Sequence, residues 1–585
     1  MTQFSSTRLI LGSALLTGLF LACSSNETST TSQTGGTSAA GSTGAGAAAG
    51  QAAGGTQSGT GGSTMSAGHG GTGTGGSTTG GTGGSTPTTG GASGSGFGTG
   101  GTVGGASGMA GTAGSGTMGG AGTSSGTSGS AGSGMMGNCN FTVTSQTADQ
   151  AGTGGIPTVG IVNWSVDMTG LTKASIDFTL MGGTTTMTAP IDLTTGPNFR
   201  TLLLGMKGSK TYTFHVNVTN GSSSCTSQDY TIKTGAIPNA VPRVTRTAGT
   251  AVAMQDKGFI VTSSGLAGGL GGGFGGGTMG GGSTGSSAYA YIIDADGDIV
   301  WFAPAPDTCS RAKMSYDGQY MWMVELNVDN MTKDGGELRR VSMDGLQSTG
   351  KIPGMSNCHH DVTILPDGRA ACMSWIQQSG DQPSDLLETD YMGNVKKIVT
   401  VDSSIYQGGS GLGGGGMTFH ANSIHYHMAD DSYTVGDRNP NLFVKLSHAG
   451  QVLWQFGGSC TGAPAPKCVP GTWKVNHGHD MLDDGTFLFF NNGQSGPSTA
   501  FFYKITETGT FAATPANPPS YSPGTTSSVL GDVQRLPNGN TLVTFSTASV
   551  IHEIDPTATN VVQQITGPGG YAEWRETLYG PPPRF

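Results

Sequence analysis

Histidine recurs at the head of short strand-like segments in the C-terminal half of this chain. The segments are His359-His360-Asp361-Val362-Thr363-Ile364, closing on Leu365-Pro366-Asp367-Gly368; His420-Ala421-Asn422-Ser423-Ile424; and His477-Gly478-His479-Asp480, closing on Asp483-Asp484-Gly485. A further copy, Gly531-Asp532-Val533-Gln534-Arg535, keeps the aspartate and the turn at Asn538-Gly539 but has no histidine. A neutral imidazole can attack an electrophile, donate or carry a proton, or ligate a metal. Each role needs these side chains in one place, so the fold must bring together residues about sixty positions apart.

Polar turns at 317, 367, 430, 484 and 538 stand 50, 63, 54 and 54 residues apart. A repeat near this length signals the blades of a β-propeller, each one four-stranded sheet. Equivalent positions of successive blades face a common central channel, which would unite the histidines. Further strand patterns at 258–262 and 288–293 and turns at 391–395 and 446–454 fit this plan. Residues 139–236 alternate apolar and polar at 161–166, 174–180 and 211–218, as in a small fibronectin-like β-sandwich. Two prolines at Ile237-Pro238-Asn239-Ala240-Val241-Pro242 interrupt any ladder and mark the join. The fold class expected is all-β: a six-bladed propeller over 237–585, a sandwich over 139–236, and a stalk ahead of both.

Met1 to Ala22 reads as a secretory signal, with Arg8 before an apolar run too short to span a bilayer. It ends at Leu19-Phe20-Leu21-Ala22-Cys23, which resembles a bacterial lipoprotein lipobox, although that pattern has leucine where Phe20 stands. Cys23 would then carry lipid and tether the protein to the membrane of a bacterial cell envelope. Residues 23–138 are almost entirely Gly, Ser, Thr and Ala and cannot bury enough apolar surface to offset ordering entropy. Such a disordered linker reaches about 60 Å. A net charge of −10 offers no basic stripe for a nucleic-acid partner. Export predicts paired cysteines. Cys139 with Cys225 and Cys460 with Cys468 are disulfide candidates, and Cys309, Cys358 and Cys372 are an odd set.

The propeller segments resemble the bacterial arylsulfate sulfotransferases that do without a nucleotide sulfate donor. The resemblance covers roughly residues 240–585. It rests on His359-His360-Asp361 with Leu365-Pro366-Asp367-Gly368, on His420-Ala421-Asn422-Ser423-Ile424 with Asp437-Arg438-Asn439, on Val452-Leu453-Trp454-Gln455-Phe456-Gly457-Gly458, on His479-Asp480 with Phe490-Asn491-Asn492-Gly493, and on Trp574-Arg575. It implies sulfuryl transfer from a phenolic sulfate ester to a phenolic acceptor through a sulfohistidine, with no cofactor. It also implies catalytic roles for His479 as nucleophile and for His360, His420 and Arg438 around the sulfuryl oxygens and leaving oxygen. Arginine offers two sulfuryl oxygens a planar fork that lysine lacks. His359, Asn422 and His477 are the substrate-binding candidates. By strand alternation His359 should point away from His360, whereas His477 and His479 should share a face.

Three departures stand out: Gly478 where the family commonly has glutamine, Asn491 where it has aspartate, and Gly436-Asp437 before Arg438 where serines are usual. Two other readings compete. Imidazoles from His360, His420 and His479 could hold zinc or copper, although Arg438 in the same channel opposes a cation, and no metal is expected. A non-catalytic binding propeller tethered to the envelope could also keep the same scaffold.

Overall fold

The structure is a computed structural model. It describes residues 139–585 except 222, 250–257, 266–287, 307, 327–335, 377–382, 407–418, 461–466, 494–495 and 583–585. The signal, Cys23 and the stalk lie outside the described residues, as do the Gly408–Gly416 run and most of Gly265–Gly285.

The regular structure of the described residues is nearly all strand, paired antiparallel except at the short strand Cys468–Val469. Residues 141–147, 160–166 and 199–203 form one sheet; 173–180, 186–190, 211–219, 224–226 and 230–233 form a second. Alternate residues Ile176, Phe178, Phe214 and Val216 fill the core between them, and Cys139–Cys225 staples the edge.

Six sheets follow, the six blades expected. The first has strands 259–263, 288–294 and 299–305, and the last strand of the chain, Glu573–Arg575, adds to its edge. The next four start with the inner strands Thr308–Met314, Cys358–Ile364, Ala421–His427 and Asn476–Met481, and each continues outward strand by strand. The sixth runs from Asp532–Arg535 outward, and Thr245–Ala248 from the start of this region completes it. Gln534 joins sixth sheet to first, accepting from Trp574 N at 2.6 Å and donating to Trp574 O at 3.4 Å. The sandwich packs on the first two blades. Lys207 reaches Asp296 and Asp298 at 2.5 and 2.8 Å, Arg200 meets Asp344 at 2.6 Å, and Tyr579 bonds Leu202 O and Leu204 N.

Four inner strands carry a β-bulge at the head: between Cys309 and Arg311, His359 and Val362, Ala421 and Ser423, and Asn476 and His479. A bulge adds residues to one strand only and re-aims the side chains beyond it. His360 sits within its bulge at φ +62°. Just ahead of three inner strands, Asn357, Val475 and Leu530 also adopt positive φ. This conformation is costly for β-branched Val475, whose N–H donates to Asn441 Oδ1 at 2.6 Å and whose carbonyl accepts from Asn492 N at 3.0 Å.

The bulges bring buried charge to the centre. Arg311 donates from Nε to Asp361 Oδ1 and from Nη1 to Asp532 Oδ2, both at 2.6 Å, and its guanidinium lies 4.6 Å from the Tyr571 ring centroid. Asp361 also accepts from Ile424 N at 3.0 Å. One ion network thus joins the second, third, fourth and sixth blades. Arg311, Asp361, Gly478 and Asp532 all stand seven positions before a turn glycine. Gly478 is the small one because a Cβ there would lie 2.2 Å from Asp532 Oδ1.

Candidate active site

Four histidines gather at the head of the third, fourth and fifth inner strands. His359 Nδ1 lies 3.0 Å from His360 Nδ1, and His360 Nε2 lies 3.4 Å from His420 Nε2. The His477 ring is 5.9 Å from that of His360. Trp375, unremarked in the sequence, walls the group with its ring 5.5 Å from His359 and 5.6 Å from His420. Arg438 stands beside them, half-buried, with its N–H donating to His420 O at 3.2 Å. Asp437 fixes this turn: it accepts from His420 N and Asn439 N at 2.8 and 3.1 Å and from the Tyr406 hydroxyl. Burial pushes the Asp437 carboxyl up to about 6.

His479 is not in this group. Its Nδ1 is 2.9 Å from Ser423 Oγ, and its ring packs 5.1 Å from Phe443 and 5.7 Å from Phe487. The physical reason is the bulge: between the pairs Asn476–Asn491 and His479–Phe489, two residues, His477 and Gly478, oppose the single Phe490, so His477 and His479 point apart. Gly436 leaves room for this packing, since a Cβ there would lie 2.3 Å from Ser423 Oγ. The proposed metal set of His360, His420 and His479 therefore does not converge. Asp480 does not serve the His479 ring either; its Oδ2 accepts from Arg535 N at 3.2 Å. His359, expected to point away, joins His360 because the bulge begins between them. Asn422, expected at the substrate, is fully buried and donates to Asn476 O at 2.8 Å, bracing the fourth blade against the fifth.

Position relative to the turn carried the missing signal. His360 and His477 each stand eight residues before their turn glycines, Gly368 and Gly485, whereas His479 stands six before. Ser310 and Gly531 hold the same place in the second and sixth blades, and Ser310 Oγ donates to His360 O at 2.8 Å.

The His477 tautomer follows from its partner. Asn492 Nδ2 donates to Ser527 O and Leu530 O at 2.6 and 2.7 Å, so Asn492 Oδ1 is the acceptor toward His477 Nδ1. His477 Nδ1 must carry the proton, which leaves the lone pair on Nε2. That nitrogen is buried and has no hydrogen-bond partner among the described residues. Burial, and after it the Arg438 charge, push His477 down to about 3; burial likewise lowers His359, His360 and His420. At neutral pH the site holds neutral imidazoles beside one guanidinium, with a lone pair to offer.

A sequence model of the arylsulfotransferase (ASST) family matches residues 245–574. The chain belongs to this family. The arylsulfotransferase match spans all six blades and the whole histidine group, and it supports aryl sulfotransfer with phenolic substrates in general. No curated protein matches the chain. Among solved structures, the chain is similar to a candidate 6-phosphogluconolactonase from Bacteroides uniformis at 10% identity, covering 55% of this chain and 100% of that one, TM-score 0.32. It is also similar to a DUF4784 family protein from Bacteroides caccae at 10% identity, covering 71% and 95%, TM-score 0.27. Likeness at these scores carries no argument. Cys358 pairs with Cys372, resolving the odd set, alongside Cys139–Cys225 and Cys460–Cys468. Cys309 remains a buried thiol, pushed up to about 12 by burial.

The buried imidazoles set a pH dependence of stability. Eight histidines (359, 360, 420, 425, 427, 477, 479 and 552) are held below 6.5 by burial, four of them at about 3. As pH falls through 6.5 the unfolded chain takes up these protons and the folded chain does not, so stability falls with pH between about 6.5 and 3. Asp437, Asp480 and Asp532, raised by burial from 3.8 to about 6, and Asp294, also raised by burial, bind protons first in the folded state and oppose this below about pH 6. Eight groups outweigh four. The calorimetric midpoint should drop steadily from pH 7 to pH 5; a flat midpoint over that range would contradict the neutral, buried state of these rings.

Proposed function

We propose that the protein moves the sulfuryl group of a phenolic sulfate ester to a second phenol in two steps through a sulfohistidine at His477. The observation that carries this is the Asn492–His477 pair, which places the proton on Nδ1 and the lone pair on Nε2. His477 replaces His479, the nucleophile the sequence pointed to.

In the first step Nε2 forms a bond to sulfur as the sulfur–oxygen bond to the phenol breaks, and the phenolate leaves with that electron pair. Arg438 and N–H groups of His360 and His420 meet the charge on the sulfuryl and departing oxygens. In the second step the oxygen of the acceptor phenol attacks sulfur and His477 Nε2 recovers its lone pair. The proton the acceptor loses equals the one the departed phenolate gains, so the cycle balances on side chains alone. We further propose, from Leu19-Phe20-Leu21-Ala22-Cys23 ahead of the long Gly/Ser/Thr segment, that the enzyme is lipid-anchored at the cell envelope.

The test is transfer from 4-nitrophenyl sulfate to phenol by the purified chain, before and after chelator treatment. Turnover indifferent to the chelator is expected. Turnover lost on chelation, or none from a well-folded chain with several phenolic sulfates, would overturn the reading in favour of a metal site or a binding propeller.

Asn492→Leu should keep KM for the donor near the parent value and lower kcat roughly 10–100-fold, the usual cost of losing a group that orients a reactive imidazole. An unchanged kcat would show that Asn492 does not fix the ring.

A further inference from the structure

At the opposite end of the inner strands from the histidine group lies a cavity of about 150 Å³ lined by Lys313, His425, Asp480, Gln534 and Glu573 among others. His425 follows His420 by five residues on one strand, which separates the two ends by roughly 17 Å. The Arg311 network stands between them.

The polar groups in this cavity are incompletely used. Glu573 is 7% exposed, and its Oε2 has no hydrogen-bond partner among the described residues. The nearest cation, Lys313 Nζ, is 4.0 Å away. Asp480 Oδ1 is 3.8 Å from His425 Nδ1, beyond a hydrogen bond. A buried carboxylate oxygen left this way carries a desolvation penalty that a donor at the right place would relieve.

Charge decides which donor. Lys313 faces three carboxylates: Asp480, Glu573 and Asp483 at the rim. Burial keeps His425 and His427 neutral. Arg535 adds a second cation toward Asp480 while donating to Gly539 O at 2.8 Å, which leaves two cations against three carboxylates, and Lys445 is paired with Asp430 and Glu507. The cavity therefore carries an excess of negative charge and disfavours an aryl sulfate. Most of its remaining wall is apolar or aromatic, including Tyr316, Ile364, Met428 and Met481. A cavity of this volume accommodates one benzene-sized body.

We propose that this far end of the channel is a second binding site, for a compact organic cation whose ammonium is taken by Glu573 and Asp480 and whose apolar body lies against Tyr316 and Met428. The site is separate from the histidine group and does not rest on the sulfotransfer reading.

Benzylamine is the probe, titrated calorimetrically into the intact chain beside benzyl alcohol and benzoate as neutral and anionic isosteres. Benzylamine should bind, and the two isosteres should bind at least tenfold more weakly, because only the amine offers a charge-assisted bond to the carboxylates. Glu573→Gln and Asp480→Asn, both near-isosteric, should each weaken benzylamine about tenfold. His477→Ala should leave binding unchanged. Absence of benzylamine binding, equal binding of benzyl alcohol, or indifference to both cavity variants would overturn the proposal and leave a water-filled cavity.

Discussion

His477→Ala abolishes sulfuryl transfer in this account, lowering kcat by roughly 10⁴-fold or more, as loss of a nucleophile does when nothing else can form the covalent intermediate. His479→Ala keeps kcat within about tenfold of the parent and instead costs about 2–4 kcal/mol of stability. The contrast follows from placement. His477 presents an unpartnered Nε2 beside His360, whereas His479 spends its Nδ1 on Ser423 and packs its ring among Phe443 and Phe487. Steady-state transfer rates and denaturant midpoints on the two variants separate the roles. Loss of rate in His479→Ala with rate kept in His477→Ala would reverse the assignment.

Arg311→Met carries the largest expected effect on stability, about 3–5 kcal/mol, because removing one partner of a buried ion network leaves its counter-charges unpaired. Asp361 and Asp532 are 2% and 3% exposed, and Arg311 supplies each with a 2.6 Å hydrogen bond. The loss should propagate to the site, since Asp361 adjoins His360 and Asp532 packs against Gly478, the neighbour of His477. Adding Asp361→Asn and Asp532→Asn to Arg311→Met removes the stranded charges and should restore part of the loss, a non-additivity diagnostic of one network. Urea midpoints on the single and triple variants measure this. A single variant within 1 kcal/mol of the parent would show that the central network does not hold the blades.

The blade plan was legible because polar turns recur at a steady interval and only glycine or a similarly permissive residue tolerates positive φ at Gly318, Gly368, Gly485 and Gly539. His360, His420 and Arg438 were legible from the same segments, and they do meet. The expectation that His477 and His479 share a face failed because strand alternation assumes an unbroken pleat, and the bulge between Asn476 and His479 breaks it. The same device brings His359 to His360. Counting back from the turn glycine bypasses the bulge and puts His477 level with His360. Asn492 and Arg311 were illegible for another reason: Asn492 meets His477 across two neighbouring strands of the fifth blade, 15 positions away, and Arg311 reaches Asp532 in another blade, 221 positions away, and no local pattern encodes such pairs. The cysteine pairing at 358 and 372 likewise depends on two strands lying side by side, as they do within the third blade.

The most direct measurement is to mix the enzyme with 4-nitrophenyl sulfate without acceptor, quench, and locate the added sulfuryl group by peptide mass spectrometry under conditions that spare the nitrogen–sulfur bond. The account predicts one sulfuryl group on His477, discharged when phenol is added before the quench. A sulfuryl group on His479, or on no histidine despite turnover, would contradict it.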